Sequence, residues 1–385
     1  MNLIIYVHDF HPEIGHSRAM IELINGLNLE QKNQIQTIEI VSFTSSDLNI
    51  IFPDFKYKRL TKVPFANLKP FILKMFFYHL YTMIHTFFRP KSDIKVGIGI
   101  SSLFVDISNI QFIHQQWETI FFQQRKLSPL SLIYKKILFK YFSYAEDYLF
   151  HKEKIQFISI ANFISKYLIE HFHAIKENIY LIPSAVNPQE FKLSPKTTIE
   201  VFEELCADFP ELRKLDLNKP IAIFAGAYER KGLDRALNYL TNFNDQQFII
   251  IGKPEDETNW TFPNNLNIVR IKFTKKINLF YEISDLFIFP TYYEPFGLVV
   301  IEAYAMGLDL IIPRDNVGAS EIIKQLPGVF FHQQKDDLPT YNFAKLSREE
   351  KIKRRNERLA QLENITWEQG AQTFFKILTR VKSLK

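Results

Sequence analysis

Two glutamates, Glu294 and Glu302, lie eight residues apart in a strongly apolar stretch, PTYYEPFGLVVIEAYAMGLDLIIP, which spans residues 290–313. A carboxylate removed from water is costly unless hydrogen-bond donors or cations surround it. The pair therefore indicates a ligand rich in hydroxyl groups or a set of basic partners from elsewhere in the chain. A helix that begins near Phe296 would place Glu302 in its second turn, with the two carboxylates on the order of 10 Å apart. That spacing suits one elongated ligand held at two points.

Gly297, between the two glutamates, allows the backbone to approach a ligand closely, because glycine has no side chain and tolerates turn conformations. The N–H groups in the first turn of the following helix have no partner inside that helix. Together with the helix dipole they form a site for phosphate. A diphosphate at the helix start, with hydroxylated groups at both carboxylates, describes a nucleotide sugar.

The segment from Tyr293 to Ile323, YEPFGLVVIEAYAMGLDLIIPRDNVGASEII, resembles the signature of the family 4 glycosyltransferases, which are retaining enzymes of the GT-B fold. It reproduces the two glutamates of that family with seven residues between them. The resemblance implies that Glu302 binds the ribose hydroxyls of the nucleotide and that Glu294 lies near the donor sugar. The donor-binding residues that it implies are Gly15, Gly226, Ile271, Phe296, Gly297, Leu298, Val299 and Glu302.

A second segment, IFAGAYERKGLDRAL, is similar to the strand, loop and helix that carry a diphosphate-binding lysine in this family. The lysine here is Lys231, with Arg230 beside it. Two family positions differ in this sequence. Ala227 stands where an arginine is common, and Ile14 replaces the first of two glycines after the first strand, so that only Gly15 is kept. Neutralisation of the diphosphate would therefore depend on Arg230 and Lys231.

His114 ends an apolar run, IQFIH, that predicts a strand, and open α/β sheets place ligand-contacting residues at strand ends. By the resemblance, His114 contacts the hydroxyls of the donor sugar at the reaction centre. The resemblance thus implies four catalytic residues, Glu294, His114, Lys231 and Arg230. The sequence contains no Asp-x-Asp motif and no Cys/His cluster, so we expect neither a metal nor another cofactor.

Short apolar strands alternate with helical patterns along most of the chain, which is typical of parallel sheets and α/β architecture. The alternation pauses over a charged, proline-containing stretch and then restarts. With the resemblance, this predicts the GT-B fold, in which two Rossmann-like domains face each other across a cleft. The predicted domains are 1–186 for the acceptor, 187–365 for the nucleotide sugar, and 366–385 as a helix that returns to the N-terminal domain.

The length of 385 residues and an apolar content of 46% are sufficient for two hydrophobic cores. A single cysteine, Cys206, excludes an intrachain disulfide and fits a reducing compartment. The first residues, MNLIIYVHDFHP, predict a strand rather than a signal peptide. The most membrane-like stretch, residues 71–88, is interrupted by Lys74 and two histidines. We expect a cytoplasmic protein that is peripheral on the inner face of the cytoplasmic membrane.

The net charge is only +5, but residues 55–140 hold fourteen Lys or Arg against three Asp or Glu, a local excess of +11. Aromatic residues are interleaved with the basic ones, which favours docking on an anionic membrane through residues 55–91 and 117–142. Core packing with a solvated lysine face is the alternative interpretation, and nucleic acid is the rival partner. The predicted membrane or acceptor surface consists of Trp117, Phe121, Phe122, Arg125, Lys126, Lys135, Lys136 and Lys140.

These features and the resemblance predict a metal-independent glycosyltransferase. It would move a hexose from a nucleotide diphosphate sugar, such as UDP-glucose, to a lipid-linked or saccharide acceptor in lipopolysaccharide or other cell-surface glycan synthesis. A GDP-mannose-dependent mannosyltransferase is the alternative enzyme. A sugar phosphorylase or epimerase on the same scaffold, and a non-enzymatic nucleotide-binding or nucleic-acid-binding module, are the rival classes. We expect no nucleic-acid partner.

Overall fold

Strands and helices alternate from Asn2 to Ser383 in the computed structural model, which describes residues 1–125, 127–242, 246–254, 260–332 and 344–385. The chain divides into two compact units. Unit 1 comprises Met1–Ser184 together with Trp367–Lys385, and unit 2 comprises Ala185–Thr366. The predicted divisions, after residues 186 and 365, lie close to these boundaries.

Unit 1 is built around a parallel sheet. Its strands are β1 (Asn2–Tyr6), β2 (Asp9–Phe10), β3 (Thr37–Ser42), β4 (Thr44–Ser45), β5 (Lys58–Lys62), β6 (Ile94–Ile98), β7 (Ile107–Ile110), β8 (Gln156–Ser159) and β9 (Ile179–Leu181). The helices in its first 184 residues are α1 (Gly15–Asn25), α2 (Leu29–Gln34), α3 (Leu48–Ile51), α4 (Phe71–Phe87), α5 (His114–Gln124), α6 (Pro129–Phe150) and α7 (Asn162–Phe172). The sheet order is β5-β3-β1-β6-β7-β8-β9, and β2 pairs separately with β4.

Unit 2 repeats this plan with a second parallel sheet. Its strands are β10 (Ile221–Ala225), β11 (Gln247–Ile251), β12 (Asn267–Ile271), β13 (Leu286–Ile288), β14 (Asp309–Pro313) and β15 (Val329–His332). Its helices are α8 (Thr198–Asp208), α9 (Leu233–Leu240), α10 (Ile277–Ile283), α11 (Leu298–Ala305), α12 (Gly318–Ile323) and α13 (Arg348–Gln361). The sheet order is β12-β11-β10-β13-β14-β15.

Burial on both faces explains why the central strands of unit 2 read as continuous apolar runs. Every residue of β10, β11, β13 and β14 is buried. Parallel sheets require this composition, because helices cover both of their faces. Helices α8 and α13 each begin with a capping box. The side chain of Thr197 or Ser347 accepts the backbone N–H of the glutamate three residues later, and the side chain of that glutamate accepts the backbone N–H of the capping residue.

The C-terminal helix, α14 (Trp367–Ser383), belongs to unit 1. It packs closely on α1, since a side chain at Gly26 would lie 2.9 Å from the carbonyl oxygen of Trp367. At its far end the Arg380 guanidinium donates to the hydroxyl of Tyr180 over 2.5 Å. Lys385 forms an ion pair of 2.7 Å with Asp106. The last helix is therefore fixed to unit 1 along its whole length.

Candidate functional site

Two loops of unit 2 meet at the carboxyl edge of its sheet. β10 and β13 are neighbours at the point where the strand order reverses, which is where open parallel sheets bind ligands. The loop after β10 (226–232) is bonded to the loop after β13 (289–297). The Tyr292 N–H donates to the Arg230 carbonyl over 3.0 Å, and the Thr291 hydroxyl donates to the same carbonyl over 2.9 Å. These bonds hold the predicted site residues of both loops together.

Gly232 makes the approach of the two loops possible. It adopts a φ of +75°, in the left-handed region that favours glycine. A Cβ atom at this position would lie 2.2 Å from the carbonyl oxygen of Pro290, which is closer than any real contact. A glycine is therefore required here for both conformational and steric reasons.

Glu294 is the centre of an ion cluster with both predicted diphosphate-binding cations. The Arg230 Nη1 atom lies 3.1 Å from Glu294 Oε2, and the Lys231 Nζ atom contacts the same oxygen. Arg230 also donates to the Tyr293 carbonyl over 3.2 Å. Between 11% and 22% of each charged side chain is exposed. The buried carboxylate is thus compensated by two cations more than sixty residues earlier in the chain.

The helix after Glu294 begins at Leu298 rather than near Phe296, because Gly297 acts as the N-cap with a φ of +93°. No side chain in the described part of the chain caps this helix start, an arrangement suited to an anionic ligand. Glu302 lies in the second turn, as predicted, and only 2% of its surface is exposed. Leu298 and Val299 are half-buried at the helix start.

The loop that carries Glu294 is fixed from its other side as well. The Glu294 N–H donates to the Asn316 carbonyl over 2.8 Å, and the Gly318 N–H donates to the Glu294 carbonyl over 3.2 Å. The Phe296 side chain is buried, and its carbonyl accepts the Ala319 N–H at 2.8 Å. These bonds determine the direction in which the Glu294 side chain leaves the backbone.

A cavity of about 610 Å³ lies at the carboxyl ends of β11 and β12. Ile271, one of the predicted donor-binding residues, lines it. Its aromatic wall includes Tyr228 and Trp260, whose ring centroids are 5.4 Å apart. The Arg270 guanidinium lies 4.6 Å from the ring of Phe262. The volume lies within the range of about 300–1,000 Å³ found for small-molecule sites.

Several lining residues of this cavity are absent from the predicted donor-binding set, namely Tyr228, Lys253, Trp260, Phe262 and Arg270. The signal for Trp260 and Phe262 was the aromatic run NWTFP after a polar segment, whereas Tyr228, Lys253 and Arg270 lie outside this run. Aromatic residues in a polar loop are suited to contact a planar ligand group. The predicted Gly226 follows β10 directly, and its N–H donates to the Ile251 carbonyl beside the cavity over 2.8 Å.

His114, in unit 1, begins helix α5 and does not end a strand, so the predicted strand is wrong at this point: β7 ends at Ile110. Its imidazole packs between Phe112 and Phe142, at centroid distances of 5.2 and 4.4 Å. The predicted Gly15 is the exposed first residue of α1.

Glu146, a fully buried residue of α6, fixes His114. Glu146 Oε1 accepts the His114 N–H at 2.5 Å and its Nδ1 at 2.9 Å, and Oε2 accepts the Gln115 N–H at 3.0 Å. Since the carboxylate accepts all three bonds, Nδ1 carries a hydrogen and Nε2 is the ring atom that faces other partners. Sequence reasoning missed Glu146, because it lies 32 residues from His114 and has no local signal.

Other histidines cluster at the carboxyl edge of the unit 1 sheet. Burial lowers the pKa of His8 well below its ordinary value, with further contributions from nearby His79, His16 and His114. Within the described ranges, His8 Nε2 has no hydrogen-bond partner. Burial also lowers the pKa of His79 to about 4. These rings are therefore neutral at neutral pH.

The structure buries some residues of the predicted membrane surface and exposes others. Trp117 and Phe121 are buried between α5 and α6, so the expectation that they meet lipid is wrong. Phe122 is half-buried. The Arg125 guanidinium lies 4.6 Å and Lys135 Nζ 5.4 Å from the ring of Phe121, so these cations cover a core aromatic. Residues that the structure leaves exposed are Lys136 and Lys140, and Lys126 lies outside the described residues.

None of the described helices is both long and apolar enough to span a bilayer. No group of three or more His, Cys, Asp or Glu side chains in the described ranges is arranged to hold a metal ion.

Comparison with protein families identifies the domain that carries the ion cluster. Residues 208–370 match the model of the family described as glycosyl transferases group 1, so this part of the chain is similar to glycosyltransferases of that group. An uncharacterized glycosyltransferase of Methanocaldococcus jannaschii is 22% identical over 205 residues, which are 50% of this chain and 51% of the relative. The chain thus matches about half the length of this curated relative.

Solved structures share the fold over nearly the whole chain. WaaG, a glycosyltransferase involved in lipopolysaccharide biosynthesis, has a TM-score of 0.67 at 13% identity and covers 98% of this chain and 95% of its own. Sucrose-phosphate synthase from Thermosynechococcus elongatus has a TM-score of 0.62 at 13% identity, with 100% and 96% covered. HepE of Anabaena, in complex with UDP-glucose, has a TM-score of 0.55 at 13% identity, with 100% and 98% covered. The fold is therefore the α/β GT-B fold.

Proposed function

We propose that the chain is a retaining glycosyltransferase of family 4 that transfers a hexose from a nucleotide diphosphate sugar, with UDP-glucose as the first candidate. The observation that carries the proposal is the ion cluster of Glu294, Lys231 and Arg230 beside the start of α11. Two cations and an uncapped helix start are suited to a diphosphate. Glu302, one turn further into the same helix, is the candidate partner of the ribose hydroxyls.

Charge exchange would drive donor binding at this cluster. In the structure, Glu294 neutralises Lys231 and Arg230. A diphosphate would take over both cations, and the Glu294 carboxylate would then accept hydrogen bonds from the sugar hydroxyls. When the sugar–phosphate bond breaks, Lys231 and Arg230 stabilise the negative charge on the departing diphosphate without a metal.

The cavity at Tyr228 and Trp260 is the candidate site of the nucleotide base. It lies at the ends of β11 and β12, next to β10, whose following loop carries the ion cluster. Aromatic rings offer a flat apolar surface to a base, and Arg270 supplies donors at the same wall. In HepE of Anabaena the bound nucleotide is UDP. This supports UDP-sugars as the first donors to test.

A thermal-shift screen with UDP-, GDP- and ADP-sugars, followed by assay of nucleotide release, tests the proposal. A ligand that binds only the folded protein stabilises it by about 2.7 kcal/mol at a hundred times its Kd. We expect UDP-glucose to raise the unfolding temperature and to release UDP when an acceptor is present. A larger shift with GDP-mannose would assign the mannosyltransferase alternative. A protein that binds none of these sugars would refute the proposal.

Lys231→Ala, with Lys276→Ala as matched control, tests the role of the cluster. We expect Lys231→Ala to lower turnover by roughly 10² or more, because the leaving diphosphate loses a cation. Lys276 is a cation of the same unit that pairs with Glu204 and Asp208, so its removal should leave turnover unchanged. Equal turnover in the two variants would show that Lys231 takes no part in the reaction.

The acceptor in this proposal is a lipid-linked or cell-surface saccharide, reached from the cytoplasmic face of the membrane. The exposed lysines of α6, Lys136 and Lys140, support contact with anionic lipid. The rival is a polynucleotide-binding module that uses the same charges. Salt-sensitive polynucleotide binding that Glu302→Ala leaves intact, without sugar transfer, would favour that rival.

A further inference from the structure

Helix α4 is apolar on both of its faces. Its inner face packs against the sheet core of unit 1 through Met75 and Tyr78. Its outer face carries large apolar side chains at spacings of three or four residues, and between 37% and 82% of each is exposed. They are Leu73, Phe76, Leu80, Met83, Ile84 and Phe87. A helix that is apolar all round is normally covered by protein or by lipid.

A groove of about 310 Å³ runs between α4 and α6. Phe76, Leu80 and Met83 of α4 form one wall, and Tyr144 of α6 lies in the opposite wall. Two polar side chains of the lining, His79 and Tyr141, bond each other over 2.6 Å. The second nitrogen of His79 is bonded to the Ile100 carbonyl over 2.7 Å. The groove therefore presents a mainly apolar surface, with the Tyr144 hydroxyl as a further polar group of its lining.

Two basic side chains, Lys140 and Lys152, lie beside this apolar surface. Lys140 Nζ lies 5.7 Å from the ring of Tyr144. Lys152 Nζ lies 3.8 Å from the ring of Tyr148, an exposed residue of α6. Asp147, an acid on the same exposed side of α6, accepts a hydrogen bond from the Gln115 side chain over 2.9 Å. An apolar groove with a basic rim complements a molecule that has an apolar chain and an anionic head.

We propose that the groove between α4 and α6 binds one acyl chain of an anionic phospholipid in a bilayer, with the headgroup phosphate at Lys140 and Lys152. Charge complementarity favours this occupant, because a second copy of the chain would bring its own lysines against these. The proposal specifies which surface makes the membrane contact in the proposed function, and it rests on that function. It moves the lipid contact from Trp117 and Phe121, which are core residues, to the outer face of α4.

A tryptophan probe tests whether a chain enters the groove. The probes are Met83→Trp in the groove and Ile50→Trp, at an exposed apolar position of α3, as the matched control. Both are mixed with vesicles of equal parts phosphatidylglycerol and phosphatidylcholine whose acyl chains carry bromine, which quenches nearby tryptophan. We expect the emission added by Met83→Trp to be lost and that of Ile50→Trp to remain. Unquenched emission of Met83→Trp would overturn the proposal.

Charge substitutions test the groove by co-sedimentation with the same vesicles. We expect Leu80→Glu to reduce binding about tenfold. Ile199→Glu, at an exposed apolar position of unit 2, should leave binding unchanged. The thermal shift with UDP-glucose should persist in both variants, so loss of lipid binding is distinguishable from loss of the donor site. Lipid binding by a protein that responds to no nucleotide sugar would refute the proposed function and leave the groove assignment standing.

Two further outcomes would contradict the lipid assignment. Equal binding to vesicles of phosphatidylcholine alone would show that the basic rim takes no part. A wild-type dimer that Leu80→Glu converts to monomer, without vesicle binding by either protein, would identify the outer face of α4 as a contact between copies of the chain. Sedimentation velocity in the absence of lipid makes that measurement.

Discussion

We expect Glu146→Gln to destabilise unit 1 and to slow the reaction through His114. The carboxylate accepts two backbone N–H groups at the start of α5 and the Nδ1 atom of His114. A glutamine has one acceptor oxygen and one NH₂ group. Whichever way it turns, its NH₂ faces a donor that Glu146 satisfies in the wild type.

The magnitude follows from the number of bonds affected. One buried donor left unsatisfied costs about 1–3 kcal/mol. The bonds that remain change from charged to neutral, which weakens each by about 1 kcal/mol. With one donor unsatisfied and two bonds weakened, the expected loss in the free energy of unfolding is roughly 3–5 kcal/mol. For activity we expect kcat to fall about 10-fold or more with a smaller change in KM, because the imidazole loses the partner that orients it.

Urea unfolding and steady-state kinetics measure these effects, with Asp147→Asn as the matched control. Asp147 is the adjacent carboxylate of the same helix, but it is exposed and accepts one bond from a side chain. Its substitution should change stability by about 0.5 kcal/mol or less. Equal unfolding midpoints for Glu146→Gln and Asp147→Asn would refute the argument for a buried anion at the start of α5. A stability loss with unchanged kcat would limit Glu146 to a structural role.

Glu302→Ala should weaken binding of the nucleotide sugar, whereas Glu294→Ala should mainly lower kcat, because in the proposed function the first holds the nucleotide and the second the reacting sugar; full activity of both would contradict the site assignment. Activity in excess EDTA should equal that without it, since in the proposed function Arg230 and Lys231 neutralise the diphosphate, and its loss would indicate a bound metal. His79 has a pKa near 4 when folded and near 6.5 when unfolded, so the unfolded state binds more protons between these values. The free energy of unfolding should therefore fall by about 3 kcal/mol as the pH drops from 6.5 to 4, and His79→Gln should reduce that slope in urea titrations at several pH values.

The ion pairs of Glu294 with Lys231 and Arg230 explain how two cations with little solvent exposure are tolerated at this site. Cations buried without a partner would lower stability, and a permanent partner would compete with the donor. In the proposed function, the Glu294 carboxylate compensates the cations until the nucleotide sugar binds and then turns to the sugar hydroxyls.

The sequence by itself determined most of unit 2, because its signals are local. Buried parallel strands read as apolar runs, Gly232 and Gly297 mark the turns before α9 and α11, and the spacing of Glu294 and Glu302 gives their positions on the loop and helix. Each of these signals spans a few residues, so periodicity and turn chemistry suffice to interpret it.

Only the tertiary structure decided which distant residues meet and which aromatic faces are covered. Glu146 reaches His114 across 32 residues, and Arg230 reaches Glu294 across 64. The structure also assigned Trp117 to the core and Phe76 to the surface, although both lie in helices that contain several aromatic residues. Periodicity identifies the buried face of a helix only when the other face is polar. A helix that is apolar all round, such as α4, gives no such contrast, and its inner face is decided by the sheet against which it packs.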